Sequence, residues 1–159
     1  MIETVVESIR VSLVTQHRVV ILKEVHGERH LPIWIGAYEA EAIAMELQGV
    51  SAARPLPYDL MKSVIVDMGG AVDRIVVTDL SQDVFYARIV IQQNGRSVEV
   101  DSRPSDAIAL AVRQYRHRRP LRLPGTRRFR RGRAMGAIRR RMARFKPGGW
   151  CPCRARGVV

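Results

Sequence analysis

Hydrophobic and polar positions along the chain follow two rhythms in turn. "VVILKEV" (19–25) and "HLPIWIG" (30–36) are short β-branched runs separated by His26-Gly27-Glu28-Arg29, and they read as the arms of a hairpin. "DRIVVTDL" (73–80), "VFYARIVIQ" (84–92) and "RSVEVDS" (96–102) have the same strand character. Asn94-Gly95 between the last two is a strong tight-turn signal. The spacing becomes helical in "YEAEAIAMELQG" (38–49), "DLMKSVIVDMGG" (59–70) and "SDAIALAVRQ" (105–114). Gly49 and Gly69-Gly70 read as stops. Asp59 reads as an N-cap, with Lys62 on the exposed face. Pro104 suits a first turn that Ser102 or Ser105 can cap.

Sliding the chain against itself by 65 positions exposes a repeat. "IWIGAYEAEAIAMEL" falls on "VEVDSRPSDAIALAV", and Val19–Val25 falls on Val84–Val90. Two copies of a strand-strand-helix unit are expected to share one mixed or antiparallel sheet with helices on one face, an α+β domain built by duplication. The expected domain covers residues 1–114.

After Gln114 the copy stops. Arg54-Pro55 falls on Arg119-Pro120, but "LPYDLMKSVIVDMGG" is answered by "LRLPGTRRFRRGRAMG". Charge divides at the same place. Residues 1–113 hold eleven Lys/Arg and all fifteen Asp/Glu, whereas residues 114–159 hold sixteen basic residues, fifteen of them Arg, and no acid. Two readings of the stretch from 115 to 159, expected to be disordered, stand side by side. One is a reading-frame slip: "RHRRPLR" (116–122) has codon choices that, read one nucleotide later, give Gly-Ile-Ala-Val-Pro-Phe-Val, a buried-strand sequence. The other is a cationic arm that binds phosphate backbones by counterion release. The coding DNA separates them.

The N-terminal "MIETVVESIRVSLV" lacks the basic start and apolar run of a signal peptide. No apolar run approaches the ~20 residues of a membrane span. Cys151 and Cys153 offer too few ligands for zinc. His17, His26 and His30 cluster at the first hairpin without metal spacing. Nucleotide-loop, zinc-protease and nucleophile-elbow motifs are all missing. These features point to a cytoplasmic protein that needs neither a membrane nor a small-molecule cofactor.

Candidate chemistry gathers at the two strand-to-helix junctions: Tyr38, Glu39 and Glu41 at the first; Asp101, Ser102, Arg103, Ser105 and Asp106 at the second. The offset makes Glu41 and Asp106 equivalent. Two such carboxylates can hold Mg²⁺ or Mn²⁺, which take oxygen ligands and keep sites for water and phosphate. Arg103 can meet phosphate oxygens. Acids in a first helical turn also stabilise the helix dipole without any catalytic role, and spacing alone leaves both readings open.

"VDSRPSDAIALAVR" (100–113), with "LPIWIGAYEAEAIAMEL" (31–47) and "RPLPYDLMKSVI" (54–65), resembles the bifunctional nuclease domain, a family of bacteria and plants. The resemblance runs from about residue 2 to residue 113 in order and spacing. It implies an internally duplicated α+β fold and cleavage of RNA and DNA. It also implies that the short strand and acidic helix that follow the third helix in family members are missing here. Many relatives carry His where this chain has Tyr58, so any catalytic part for that His does not carry over. The site residues it suggests are Asp101, Arg103, Ser105 and Asp106, with Glu39 and Glu41, and Asp106 and Glu41 as the metal pair. A homo-oligomer is expected, with a partner covering an edge strand or an apolar helix face.

Overall fold

The computed structural model describes residues 2–12, 16–81, 84–114, 121–123 and 150–153. Two antiparallel meanders make most of it: β1 (Ile2–Ser12), β2 (Arg18–Glu24) and β3 (His30–Ile35), then β4 (Gly70–Ser81), β5 (Val84–Gln93) and β6 (Arg96–Ser102). Each is followed by a helix, α1 (Ala37–Leu47) and α3 (Pro104–Gln114), and α2 (Pro57–Asp67) bridges the halves. The duplicated α+β architecture is therefore present, with a unit of three strands and a helix. Of these six strands, the one that sequence reading missed is β1; β4 was read as 73–80, and each unit was expected to hold two strands where it holds three.

β1 escaped notice for a physical reason. A bulge between Val6 and Ser8 shifts its register against β2 and breaks the period-two alternation that marks a strand. The halves meet through β7 (Leu121–Leu123), which pairs antiparallel with β1 and touches β4 at one parallel position, Val76 opposite Arg122. β8 (Trp150–Cys153) pairs with the other end of β1. The strand order β3-β2-β1-β7-β4-β5-β6 leaves β3 and β6 as edges. The rest of the stretch from 115 to 159, with its slip and cationic-arm readings, lies outside the described residues.

Local signals explain the turns and helix ends. Asn94 and Gly95 have φ of 50° and 75°, the conformation that a two-residue hairpin between right-twisted strands demands. The hairpin at 25–29 is closed by Arg29, whose Nε donates to Glu24 Oε2 at 2.6 Å. That bond and the adjacent charge hold the Glu24 carboxyl below its ordinary range. α2 begins at Pro57, two residues before the expected cap, because proline's missing N–H costs nothing at a first helical position. Asp59 is then the third helical residue, and the Leu56 N–H donates back to its Oδ2 at 2.8 Å. α3 likewise begins at Pro104, so neither serine is its cap; the Ser102 hydroxyl donates to the Arg103 carbonyl.

All three helices lie on one face of the sheet. Ile9, Val20, Leu22, Leu31, Ile33, Val72, Ile75, Val77, Ala87 and Ile89 alternate onto that face and pack with Ala40 and Ile43 of α1 and with residues 107–111 of α3. α3 is buried along nearly its whole length, since its Ala-Ile-Ala-Leu-Ala run lets sheet and helices approach from several sides. No described helix is long and apolar enough to cross a membrane.

The three helices are locked by one arginine. The Arg113 side chain is 3% exposed, and its Nε donates to Asp59 Oδ1 of α2 at 2.6 Å. Nη1 donates to the Ala109 carbonyl at 2.9 Å and Nη2 to the Ala42 carbonyl of α1 at 3.2 Å. Lys62, expected on the exposed face, instead donates to the Arg113 carbonyl at 2.9 Å and satisfies the end of α3. Burial pushes the Asp59 carboxyl upward, but the Leu56 N–H and Arg113 outweigh it and hold it below its ordinary range.

Arg113→Met keeps the packing volume and removes every one of these donors, so it should cost roughly 2–3 kcal/mol in chemical denaturation. The Asp59 contribution has a definite sign. Its folded pKa is depressed, so its stabilisation is complete above the unfolded carboxylate value of ~3.9 and is lost as pH falls through the lower folded value. Asp59→Asn should flatten that acid limb; an unchanged limb would place the acid sensitivity elsewhere.

Candidate functional site

The N-termini of α1 and α3 deliver their first-turn acids to one guanidinium. Arg103, the last residue before α3, donates from Nε to Asp106 Oδ2 at 2.6 Å and from Nη2 to Asp106 Oδ1 at 2.9 Å. The same Nη2 reaches 2.9 Å across to Glu39 Oε1 of α1. Glu39 and Asp106 are both the third residue of their helices. By helix position the sister of Asp106 is thus Glu39, where the sequence offset paired it with Glu41.

A bare backbone lets Glu39 make this reach. Gly36 is the N-cap of α1 and carries no side chain to bond the first turn. The Glu39 side chain folds back over it: a Cβ added at Gly36 would lie 2.9 Å from the Glu39 carboxyl carbon. Glu39 is 14% exposed and Arg103 is 67% exposed. The acids form the floor of the cluster and the cation is its open surface.

α2 supplies a third wall. The Tyr58 hydroxyl donates to Asp106 Oδ1 at 2.9 Å. Its ring lies under the Arg113 guanidinium, whose carbon is 5.4 Å from the ring centroid, a cation–π contact. Burial, then the Asp106 bond and the nearby Glu39 charge, push the Tyr58 phenol well above its ordinary range, so it stays a donor. Asp106, with Glu39 beyond it, likewise raises Arg103, which stays a cation. A continuous chain results: Glu39, Arg103, Asp106, Tyr58, Arg113, Asp59.

Of the residues singled out from sequence, Glu39, Arg103 and Asp106 come together. Ser105 is buried at the first turn of α3. Asp101 stands opposite Arg88 on β6, one position from the Ala87–Ser102 pair, so the alternation of a strand sends it to the face away from the helices. Glu41 is exposed on α1 and takes no part in the cluster. Tyr58 entered the sequence reading only as a departure from a resemblance, and Arg113 not at all. The signal for Arg113 was its place four residues after Ala109 on the apolar stripe of α3, where a charge needs buried partners.

The carboxylates here face a guanidinium and a phenol. Among the described residues, no group of three or more His, Cys, Asp or Glu is placed to hold a metal. As arranged, the donor set does not fit Mg²⁺ or Mn²⁺, which ask for several oxygen ligands around one point. What the cluster offers is a fixed, solvent-facing cation backed by two carboxylates, suited to an anion that carries a group able to lose or accept a proton.

Comparison with known proteins meets this geometry at the same residues. The sequence matches the bifunctional nuclease domain over residues 20–116, which includes every member of the cluster. An uncharacterized protein of Mycobacterium tuberculosis is 42% identical over 111 residues, 70% of this chain and 66% of that one. Bifunctional nuclease 1 of Arabidopsis thaliana is 31% identical over 101 residues, 61% of this chain and 31% of that one. Bifunctional nuclease 1 of japonica rice is 28% identical over 100 residues. The chain thus spans just under two thirds of the mycobacterial relative and under a third of the plant ones.

Gly36→Ala should leave the fold intact, because φ of −69° suits alanine and the obstruction is only the tip of a flexible side chain. It should move the Glu39 carboxylate off Arg103, visible as a shifted Arg103 Nη–H resonance at unchanged melting temperature. A resonance at its original position would show that Glu39 does not need the bare glycine.

Proposed function

Because the chain belongs to the bifunctional nuclease domain family, we propose that it hydrolyses phosphodiester bonds of RNA and DNA at the Glu39–Arg103–Asp106 cluster. The observation that carries this reading is the Arg103 guanidinium, two-thirds exposed and held in place by both Asp106 oxygens. A phosphodiester docks by charge-assisted hydrogen bonds to that guanidinium. Asp106 takes the proton from a water attacking phosphorus. The water oxygen forms the new P–O bond, the bond to the leaving sugar oxygen breaks, and that oxygen takes a proton from solvent. Tyr58 and Arg103 position Asp106 for this. Asp101, Ser105 and Glu41 are not used in the step, and no part of it runs through a metal. The proposed compartment is the cytoplasm, where both polymers occur.

A second reading, an oligomeric binding module, is favoured by α2. None of its residues is buried, and Leu60 and Val64, with Met68 at the C-cap, line one stripe at 59%, 47% and 67% exposure. β6 is also an edge among the described strands. A self-associating chain should show a concentration-dependent sedimentation coefficient that Leu60→Glu abolishes.

Cleavage of single-stranded RNA and plasmid DNA, in Mg²⁺, in Mn²⁺ and in EDTA, tests the first reading. Asp106→Ala should lower turnover on both polymers by about 10²-fold or more while Asp101→Ala leaves it intact. Turnover that vanishes in EDTA would bring the metal pair of Asp106 and Glu41 back. Equal turnover by Asp106→Ala in every buffer would remove the chemistry from this cluster.

A further inference from the structure

The N–H groups of Arg103 form two forks. The side-on fork, Nε with one Nη2 hydrogen, is closed by the two Asp106 oxygens. The end-on fork, Nη1 with the other Nη2 hydrogen, is half filled. Its Nη2 hydrogen is held by Glu39 Oε1 at 2.9 Å, and Nη1 has no hydrogen-bond partner among the described residues. A fork of two parallel N–H groups matches two oxygens of a phosphate as well as those of a carboxylate.

We infer that the end-on fork of Arg103 is the seat of a nucleic-acid phosphate, and that Glu39 is its resident competitor, a carboxylate standing in half the seat until phosphate displaces it. The inference rests on the nuclease reading for the identity of the polymer and on the hydrogen bonds for the rest.

Three features make Glu39, and not Asp106, the group that yields. Asp106 grips with two bonds from three residues away, whereas Glu39 makes one from another helix. The Glu39 bond ends on an exposed cation, where a single ion pair is weak. The Glu39 carboxylate lies over Gly36, a cap with no side chain to hold it there. Two carboxylates on one guanidinium also leave an uncompensated negative charge, which repels phosphate for as long as Glu39 stays in place. Loss of the Glu39 charge should therefore strengthen binding, the opposite of what loss of an ordinary binding residue does.

The test is calorimetric titration of the full chain with a phosphorothioate-linked thymidine dinucleotide in EDTA. One linkage is too short to draw on the Arg-rich stretch beyond residue 114 differently in different variants. Glu39→Gln and Glu39→Ala should bind roughly three- to tenfold tighter than the parent. Adding Arg103→Ala to either should erase the gain, with circular dichroism unchanged throughout. Binding that is unaltered or weaker in both Glu39 variants, or a gain that survives Arg103→Ala, overturns the inference. Parallel cleavage of the diester oligonucleotide keeps the two readings apart. A parent that cuts while the Glu39 variants bind no better sinks the competitor alone. Glu39 variants that bind better in a chain that never cuts leave the phosphate seat standing and sink the nuclease.

Discussion

The buried guanidinium of Arg113 sets the geometry on which the rest depends. A charge taken out of water must find partners in every direction, and the partners here belong to three different helices: a carboxylate of α2, a carbonyl of α1 and a carbonyl of α3 itself. Apolar packing alone would let these helices slide, since alanine-rich faces offer little to interlock. The fork of Arg113 allows one arrangement. Its face also carries the Tyr58 ring, so the same side chain that fixes the helices fixes the phenol that holds Asp106.

Electrostatics in the cluster is arranged in alternation. From Glu39 to Asp59 the chain runs acid, base, acid, phenol, base, acid, and each acid but Glu39 is gripped by two donors. The Arg113–Asp59 end of this chain is committed to holding the fold. Toward Glu39 the commitments loosen, and the last member is the one with a single bond.

Much of the fold was legible because local chemistry and tertiary need agree. Asn94-Gly95 had to turn with positive φ, the Ala-Ile-Ala runs had to be packing faces, and Pro104 had to begin a helix. The first strand, β1, was lost because a bulge shifts its phase, and β4 was read from residue 73 instead of 70 because it begins at what reads as the stop of a helix, Gly69-Gly70. In the site, Arg103 and Asp106 were legible as neighbours in sequence. Glu39 was legible only through the repeat, which named the right junction and counted two residues too far. Tyr58 and Arg113 were not, because a bond from residue 58 to residue 106, or from 113 back to 59, leaves no periodic trace.

The cluster takes Glu39 from the first unit, Arg103 and Asp106 from the second, and Tyr58 from the helix between them. Neither unit holds a site of its own. During synthesis α3 is the last of these elements to leave the ribosome, so a half-made chain carries the parts of the cluster scattered on separate pieces. Assembly of the cluster coincides with the packing of α3 into the core, and a chain that fails to bring its two halves together lacks the proposed centre. For a protein whose proposed substrates are the cell's own RNA and DNA, folding itself is the safety catch.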